Sequence, residues 1–63
     1  MAEDYDIGPD PSLLLVDDDE IFLNRLARAM EKRGFNVIKA ASVAEARAAV
    51  SEHAPAHAVV DLR

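Results

Sequence analysis

Residues 12–20 read SLLLVDDDE, a continuous apolar run that ends abruptly in four acidic residues. A short apolar run without polar alternation is typical of a strand buried on both faces, as in a parallel sheet. We therefore expect the first strand at Ser12–Val16. The preceding residues, 1–11, combine acidic residues with one glycine and two prolines and have no hydrophobic period, which indicates an acidic flexible leader.

The residues after this strand have the pattern of an amphipathic helix from about Glu20 to Arg33. Apolar side chains recur there with helical spacing and form one stripe: Phe22, Leu23, Leu26, Ala27 and Met30. An aspartate at the start can cap this helix, and Gly34 is expected in the left-handed conformation that commonly ends one.

Two more strands and a second helix are predicted downstream. Asn36–Ala40 reads as a short strand, and its polar character places it near a sheet edge. Ser42 and Glu45 have the spacing of a capping box, which predicts a helix through about His53. The apolar side of this helix includes Val43, Ala46, Ala49 and Val50. Ala58–Val60 is the third strand, and Asp61 follows it.

The predicted order is therefore β-α-β-α-β with short connections, and right-handed crossovers make the strands parallel. The fold class is α/β, a flavodoxin-like doubly wound parallel sheet of which this chain supplies the first β-α-β-α-β portion, with strand order 2-1-3. In that order the carboxyl ends of strands one and three are neighbours, and ligands of such sheets bind there.

Acidic residues converge on this crevice from both strands. Asp17, Asp18 and Asp19 leave strand one, and Asp61 leaves strand three. Adjacent carboxylates raise one another's pKa unless a cation lies between them, and Mg²⁺ favours one or two carboxylates with water, a carbonyl and phosphate oxygens. The cluster predicts a Mg²⁺-assisted phosphoryl site. A structural alternative is that Asp17 or Asp19 is only a helix N-cap.

Charge and composition argue against several functional classes. The first twenty residues hold eight acidic residues and no basic one, while the remainder holds four acidic and seven basic residues, for a net charge of −5. Net acidity without a basic stripe argues against nucleic-acid binding by this segment. There is no cysteine, no apolar run near the ~20 residues of a membrane span, and no basic start typical of a secretory signal. We therefore expect a cytoplasmic protein with no membrane contact.

Together these features resemble the first half of a response-regulator receiver domain of bacterial two-component signalling. The resemblance covers Ser12–Arg63. It rests on the apolar strand that ends in acidic residues, the helix that closes at Arg33-Gly34-Phe35, and the strand Val59-Val60-Asp61-Leu62. The sequence of the first helix and the turn Asp61-Leu62-Arg63 further resemble those of redox-responsive global regulators of photosynthesis and respiration genes.

The resemblance implies a role for each acidic position. Asp61 matches the phosphoacceptor, which takes its phosphoryl group from a phosphohistidine of a sensor histidine kinase. Mg²⁺ is the implied cofactor, with Asp18 as direct ligand, Asp17 acting largely through water, Asp61 as a further ligand and the main-chain carbonyl of Arg63 completing the protein ligands. Asp19 has no implied family role and is interpreted as a helix cap.

The resemblance also implies that the chain is a phosphoacceptor rather than an enzyme. DNA binding would belong to an effector domain outside residues 12–63.

Two other hypotheses remain open from the sequence. In a haloacid-dehalogenase-like, Mg²⁺-dependent phosphatase, Asp17 would be the nucleophile and Asp19 the acid, although Glu20 and Ile21 replace the small or hydroxylated residues usual after that motif. Alternatively, the chain self-associates through the exposed edge of strand three, by segment exchange for example, without phosphotransfer. His53 and His57 are interpreted as solvated loop residues, and Lys39 is not expected in the site.

Overall fold

The computed structural model describes residues 8–62, which form three strands and two helices. In chain order they are β1 (Ser12–Asp17), α1 (Glu20–Lys32), β2 (Asn36–Ala40), α2 (Val43–Glu52) and β3 (His57–Asp61). The strands form one parallel sheet in the order β2-β1-β3. The predicted fold class, element order and strand order are confirmed. Most of the predicted leader, residues 1–7, lies outside the described residues, and so does Arg63.

Strand β1 is the centre of the sheet and is buried along its whole length. Leu13 and Leu15 pack on one face against Leu23 and Ala27 of α1. The alternate residues of β1, together with Ala40, form a second buried cluster on the other face, against which α2 packs. Since successive side chains of a strand point to opposite faces, a run without polar alternation is what two covered faces require.

Both ends of α1 are held by local hydrogen bonds that the sequence predicts. At the start, the Asp19 side chain accepts a bond from the backbone N–H of Phe22 at 3.1 Å. At the end, the N–H of Phe35 donates to the Met30 carbonyl at 3.2 Å, and the N–H of Gly34 donates to the Glu31 carbonyl at 3.0 Å. Gly34 has φ +101°. This pair of bonds around a left-handed glycine is a Schellman motif.

Helix α2 begins as predicted but buries less of its surface than its sequence suggests. Ser42 Oγ accepts the N–H of Glu45 at 3.1 Å, while the Glu45 carboxylate accepts the N–H of Ala41 at 2.9 Å in place of that of Ser42. The expectation that Val43 and Val50 face the core is wrong: they are 47% and 39% exposed. Only Ala46 and Ala49 of that predicted side pack on the sheet.

The two valines instead border an open groove, because no strand of the described residues lies beyond β3 in the sheet. The groove has a volume of about 400 Å³ and separates α2 from β3. Most of its lining is apolar: Val16, Val43, Ala46, Arg47, Val50, Ser51, Val60 and Leu62. We call it the α2 groove.

The amino-terminal end of the sheet is tied together by Ser12, which is buried. Its hydroxyl accepts the N–H of Ala56 at 3.0 Å, just before β3, and its own N–H donates to the Asp10 carboxylate at 3.0 Å. The interpretation of His57 as a solvated loop residue is wrong. It is the half-buried first residue of β3, and its ring meets the Phe35 ring edge-on with centroids 5.5 Å apart.

Candidate functional site

The carboxyl ends of β1 and β3 place two of the predicted site residues side by side. Asp17 and Asp61 are register partners in the parallel ladder between these strands. Asp17 lies two residues after Leu15, so its side chain is on the same face, the one covered by α1. Both aspartates line a pocket of about 180 Å³ between α1 and β3. The topology thus brings Asp17 and Asp61 together as the sequence predicts.

Asp17 is the buried member of the acidic cluster, with 2% of its surface exposed. Its Oδ1 accepts the backbone N–H of Asp19 at 2.8 Å. Its Oδ2 is buried and has no hydrogen-bond partner among the described residues. A buried carboxylate oxygen without a partner is costly, and a cation is one group that satisfies it.

The next two aspartates of the run have different environments. Asp18 lies in the bend after β1 and is exposed. Asp19 directs its carboxylate to the start of α1, where it caps the helix. The alternative that an aspartate of this run is a helix N-cap therefore holds for Asp19, while the Asp17 carboxylate is turned inward.

The fit of this site to Mg²⁺ rests on few protein ligands. Within residues 8–62, no group of three or more His, Cys, Asp or Glu side chains is placed to hold a metal ion. Mg²⁺ binds through one or two carboxylates and keeps several waters, so a site built on Asp17 and Asp61 does not need a third. The unpartnered Asp17 Oδ2 fits such a cation. The predicted ligand carbonyl of Arg63 lies outside the described residues, and the metal roles of Asp17 and Asp18 stay predictions.

Apolar side chains form the rest of this pocket, and sequence reasoning did not assign them to it. Phe22 and Leu26 come from α1, and Val59 comes from β3. Phe22 was expected on the buried stripe of α1 but is 43% exposed. The place of Val59 could have been predicted from the register of β3, because Val59 lies two positions before Asp61 and therefore on the same face.

Lys39 does not belong to this pocket, as expected. It lies in β2, on the other side of β1 from β3. Its Nζ donates to Asn24 Oδ1 of α1 at 2.9 Å.

Curated proteins with similar sequences are bacterial regulators. The chain is 66% identical over 64 residues to the photosynthetic apparatus regulatory protein RegA of Rhodovulum sulfidophilum and 63% identical over 65 residues to RegA of Cereibacter sphaeroides. It is 64% identical over 63 residues to the acid tolerance regulatory protein ActR of Sinorhizobium medicae. Along its whole length the chain is therefore similar to bacterial response regulators. The resemblance predicted from its residues is confirmed.

The alignments cover nearly all of this chain but only part of each relative. They include 100% of the chain and 35% of each RegA protein, and 98% of the chain and 32% of ActR. The chain thus spans about a third of the length of the curated relatives it matches. No family model matches the chain, and no solved structure gives a significant match.

Neither α1 nor α2 has the length and hydropathy to cross a membrane. This finding covers the described part of the chain.

Proposed function

We propose that the chain is the receiver segment of a two-component response regulator and that Asp61 accepts a phosphoryl group from a sensor histidine kinase, with Mg²⁺ as cofactor. The proposal rests on the pairing of two carboxylates. Asp17 and Asp61 are register partners at the carboxyl ends of adjacent parallel strands, and the buried Asp17 Oδ2 has no hydrogen-bond partner among the described residues. Such an arrangement suits a cation and a phosphoryl group better than it suits two isolated carboxylates.

In the proposed reaction, a carboxylate oxygen of Asp61 forms a bond to phosphorus as the phosphorus–nitrogen bond of the phosphohistidine breaks. The imidazole leaves, and an acyl phosphate remains on Asp61. Bound Mg²⁺ would neutralise charge on the carboxylates and on the phosphoryl oxygens. Its protein ligands would be Asp17, Asp18, Asp61 and the main-chain carbonyl of Arg63.

The surrounding residues have a positioning role in this proposal. Strand pairing holds Asp61 beside Asp17, and the bond from Asp19 N–H holds one Asp17 oxygen. Phe22, Leu26 and Val59 form apolar walls that keep the Asp17 carboxylate from bulk water. Phosphoryl transfer depends mainly on positioning and charge neutralisation, which these residues can supply.

The names of the relatives concern regulation of the photosynthetic apparatus and of acid tolerance. We extend this to a cytoplasmic regulator that controls transcription through a DNA-binding effector domain outside the described residues. In this proposal the chain is a phosphoacceptor and not an enzyme with a separate substrate, and residues 8–62 do not contact nucleic acid or a membrane.

The test is to treat the protein with acetyl phosphate or beryllofluoride and Mg²⁺ and to map the modified aspartate by mass spectrometry and ¹⁹F NMR. We expect modification at Asp61, its loss in Asp61→Asn, and its retention in Asp10→Asn, which removes an acid at the opposite end of the sheet. Modification at Asp17 would support the phosphatase hypothesis and contradict this proposal.

A further inference from the structure

We propose that Asp19 is a positioning residue for the metal site: it locks the loop after β1 so that Asp17 Oδ2 stays turned into the crevice. This inference rests on the proposed function. The resemblance implies no role for Asp19, and the sequence suggests only a helix cap, so the coupling to Asp17 is the new element.

Three hydrogen bonds fix Asp19 at the junction between β1 and α1. Its side-chain Oδ1 accepts the N–H of Phe22 at 3.1 Å, and its carbonyl accepts the N–H of Leu23 at 2.8 Å. Its own N–H donates to Asp17 Oδ1 at 2.8 Å. The first two bonds anchor the residue to the first turn of α1. The third bond restrains the Asp17 carboxylate relative to this anchored residue.

The bond to Asp17 selects which of its oxygens remains available. With Oδ1 occupied by the Asp19 N–H, the carboxylate presents Oδ2, the buried oxygen that has no partner among residues 8–62. If the cap is lost, the N–H of residue 19 is no longer held in place and the carboxylate can turn toward solvent. A cation would then have to order the loop as it binds, and that ordering reduces its affinity.

Helix α2 supplies a matched comparison, because Ser42 makes the same type of cap. Its Oγ accepts the N–H of Glu45 at 3.1 Å. Ser42 follows β2 and does not line the pocket of Asp17 and Asp61. Loss of the Ser42 cap should therefore lower helix stability without changing the orientation of the Asp17 carboxylate. Loss of the Asp19 cap should change both the helix stability and that orientation.

The experiment measures Mn²⁺ binding by electron paramagnetic resonance, with Mn²⁺ as the probe for the Mg²⁺ site, in the native protein, Asp19→Ala, Asp19→Asn and Ser42→Ala. We expect Asp19→Ala to weaken binding about tenfold, as loss of an orienting partner typically does. Asp19→Asn keeps the capping oxygen and should stay within about twofold of native. Ser42→Ala should melt earlier, like Asp19→Ala, with native Mn²⁺ affinity.

Equal Mn²⁺ affinity in Asp19→Ala and Ser42→Ala would overturn the inference. So would an equal loss in Asp19→Asn and Asp19→Ala, since that pattern assigns the effect to the charge of Asp19. If the native protein binds no Mn²⁺, the metal part of the proposed function fails, and the inference is judged by the ¹³C resonance of the Asp17 carboxylate. That resonance should move in Asp19→Ala and not in Ser42→Ala; an unmoved resonance would refute the positioning role.

Discussion

At the residue scale, the run of three aspartates shows how far local sequence determines a site. The cap at Asp19 is predictable, because its position before an apolar helical stripe is typical of an N-cap. The inward turn of Asp17 is not, because it depends on the backbone path after β1 and on the bond from Asp19 N–H. Three identical side chains in a row therefore have three environments, and composition alone treats them as equal.

Asp17→Asn tests the unpartnered oxygen. The substitution keeps the size of the side chain and its acceptor for Asp19 N–H but removes a buried charge, so we expect it to leave the metal-free protein about 1 kcal/mol more stable. Mg²⁺ should raise the melting temperature of the native protein and not that of the variant, because a ligand stabilises only the state that binds it. Thermal melts with and without Mg²⁺ measure both effects.

Asp18→Asn is the control for the metal-free comparison alone, because Asp18 is exposed and is itself a proposed Mg²⁺ ligand. It should not change the metal-free melting temperature. A metal-free Asp17→Asn protein that melts well below the native one would contradict the account of Asp17.

Asp10 gives a pH dependence at the other end of the sheet. Hydrogen bonds from the Ser12 side chain and backbone lower the pKa of Asp10 below its ordinary value of 3.8, and charged His53 and His57 lower it further. A lowered folded pKa stabilises the protein above the ordinary value, and this contribution is lost as pH falls through the folded one. The difference in unfolding free energy between native protein and Asp10→Asn should therefore shrink as pH falls below 3.8 in urea titrations. Glu52→Gln controls for the change in net charge, and a difference that grows toward low pH would refute this assignment.

At the element scale, the boundaries of α1 were predictable and the packing of α2 was not. The start and end of α1 are marked by side chains and a glycine whose local hydrogen bonds need no tertiary information. The apolar side of α2 has the same kind of pattern, but its burial depends on what lies beyond β3 in the sheet. A periodic pattern identifies the side of a helix that can be buried, and only the neighbouring elements decide whether it is.

Gly34→Ala tests the end of α1. Gly34 has φ +101°, a conformation that costs a residue with a Cβ about 1–2 kcal/mol. We expect the unfolding free energy to fall by about that amount in chemical denaturation. A D-alanine introduced at the same position by chemical synthesis favours positive φ and should restore or exceed native stability. Equal destabilisation by both forms of alanine would show that lack of space, rather than backbone conformation, causes the loss.

Ser12→Ala tests the tie between β1 and the start of β3. Loss of the hydroxyl leaves the N–H of Ala56 without its acceptor at 3.0 Å, and we expect a loss of about 1–3 kcal/mol in unfolding free energy. Ser51→Ala is the matched control, since that exposed hydroxyl only donates to the Ala48 carbonyl of its own helix. Its effect should stay within about 0.5 kcal/mol. Similar losses at Ser12 and Ser51 would contradict a special role for Ser12.

At the scale of the whole molecule, the β3 edge of the sheet is covered less than the central strand. β1 is buried on both faces, while β3 exposes Val59 and Val60 on opposite faces. The sequence predicts the sheet and its strand order because each connection is short and right-handed. It does not predict the α2 groove, which arises from the absence of a described element packed beyond β3 in residues 8–62.

Self-association through this exposed surface stays a prediction, and Val60→Lys tests it. Val60 is 63% exposed and lines the α2 groove. Because exposed apolar surface drives association, we expect the native sedimentation coefficient to rise with concentration and that of the variant to rise much less. Ile21→Lys is the control, since Ile21 is 71% exposed on α1, away from the groove. A native chain that sediments as a monomer at all concentrations would contradict the prediction.

Because Asp17 pairs with Asp61, the proposed site also depends on whether β3 lies in its register with β1 or is shifted by an odd or an even number of residues. Strand side chains alternate between faces, so a shift of β3 by one position along β1 would move the Asp61 carboxylate from the α1 face to the α2 groove. Val60 or Leu62, depending on the direction of the shift, would then take its place beside Asp17. A shift by two positions would keep Asp61 on its face but displace it along β1 by two residue steps, or about 6.6 Å. The backbone hydrogen bonds of one ladder therefore decide both the face and the distance at which the two carboxylates meet.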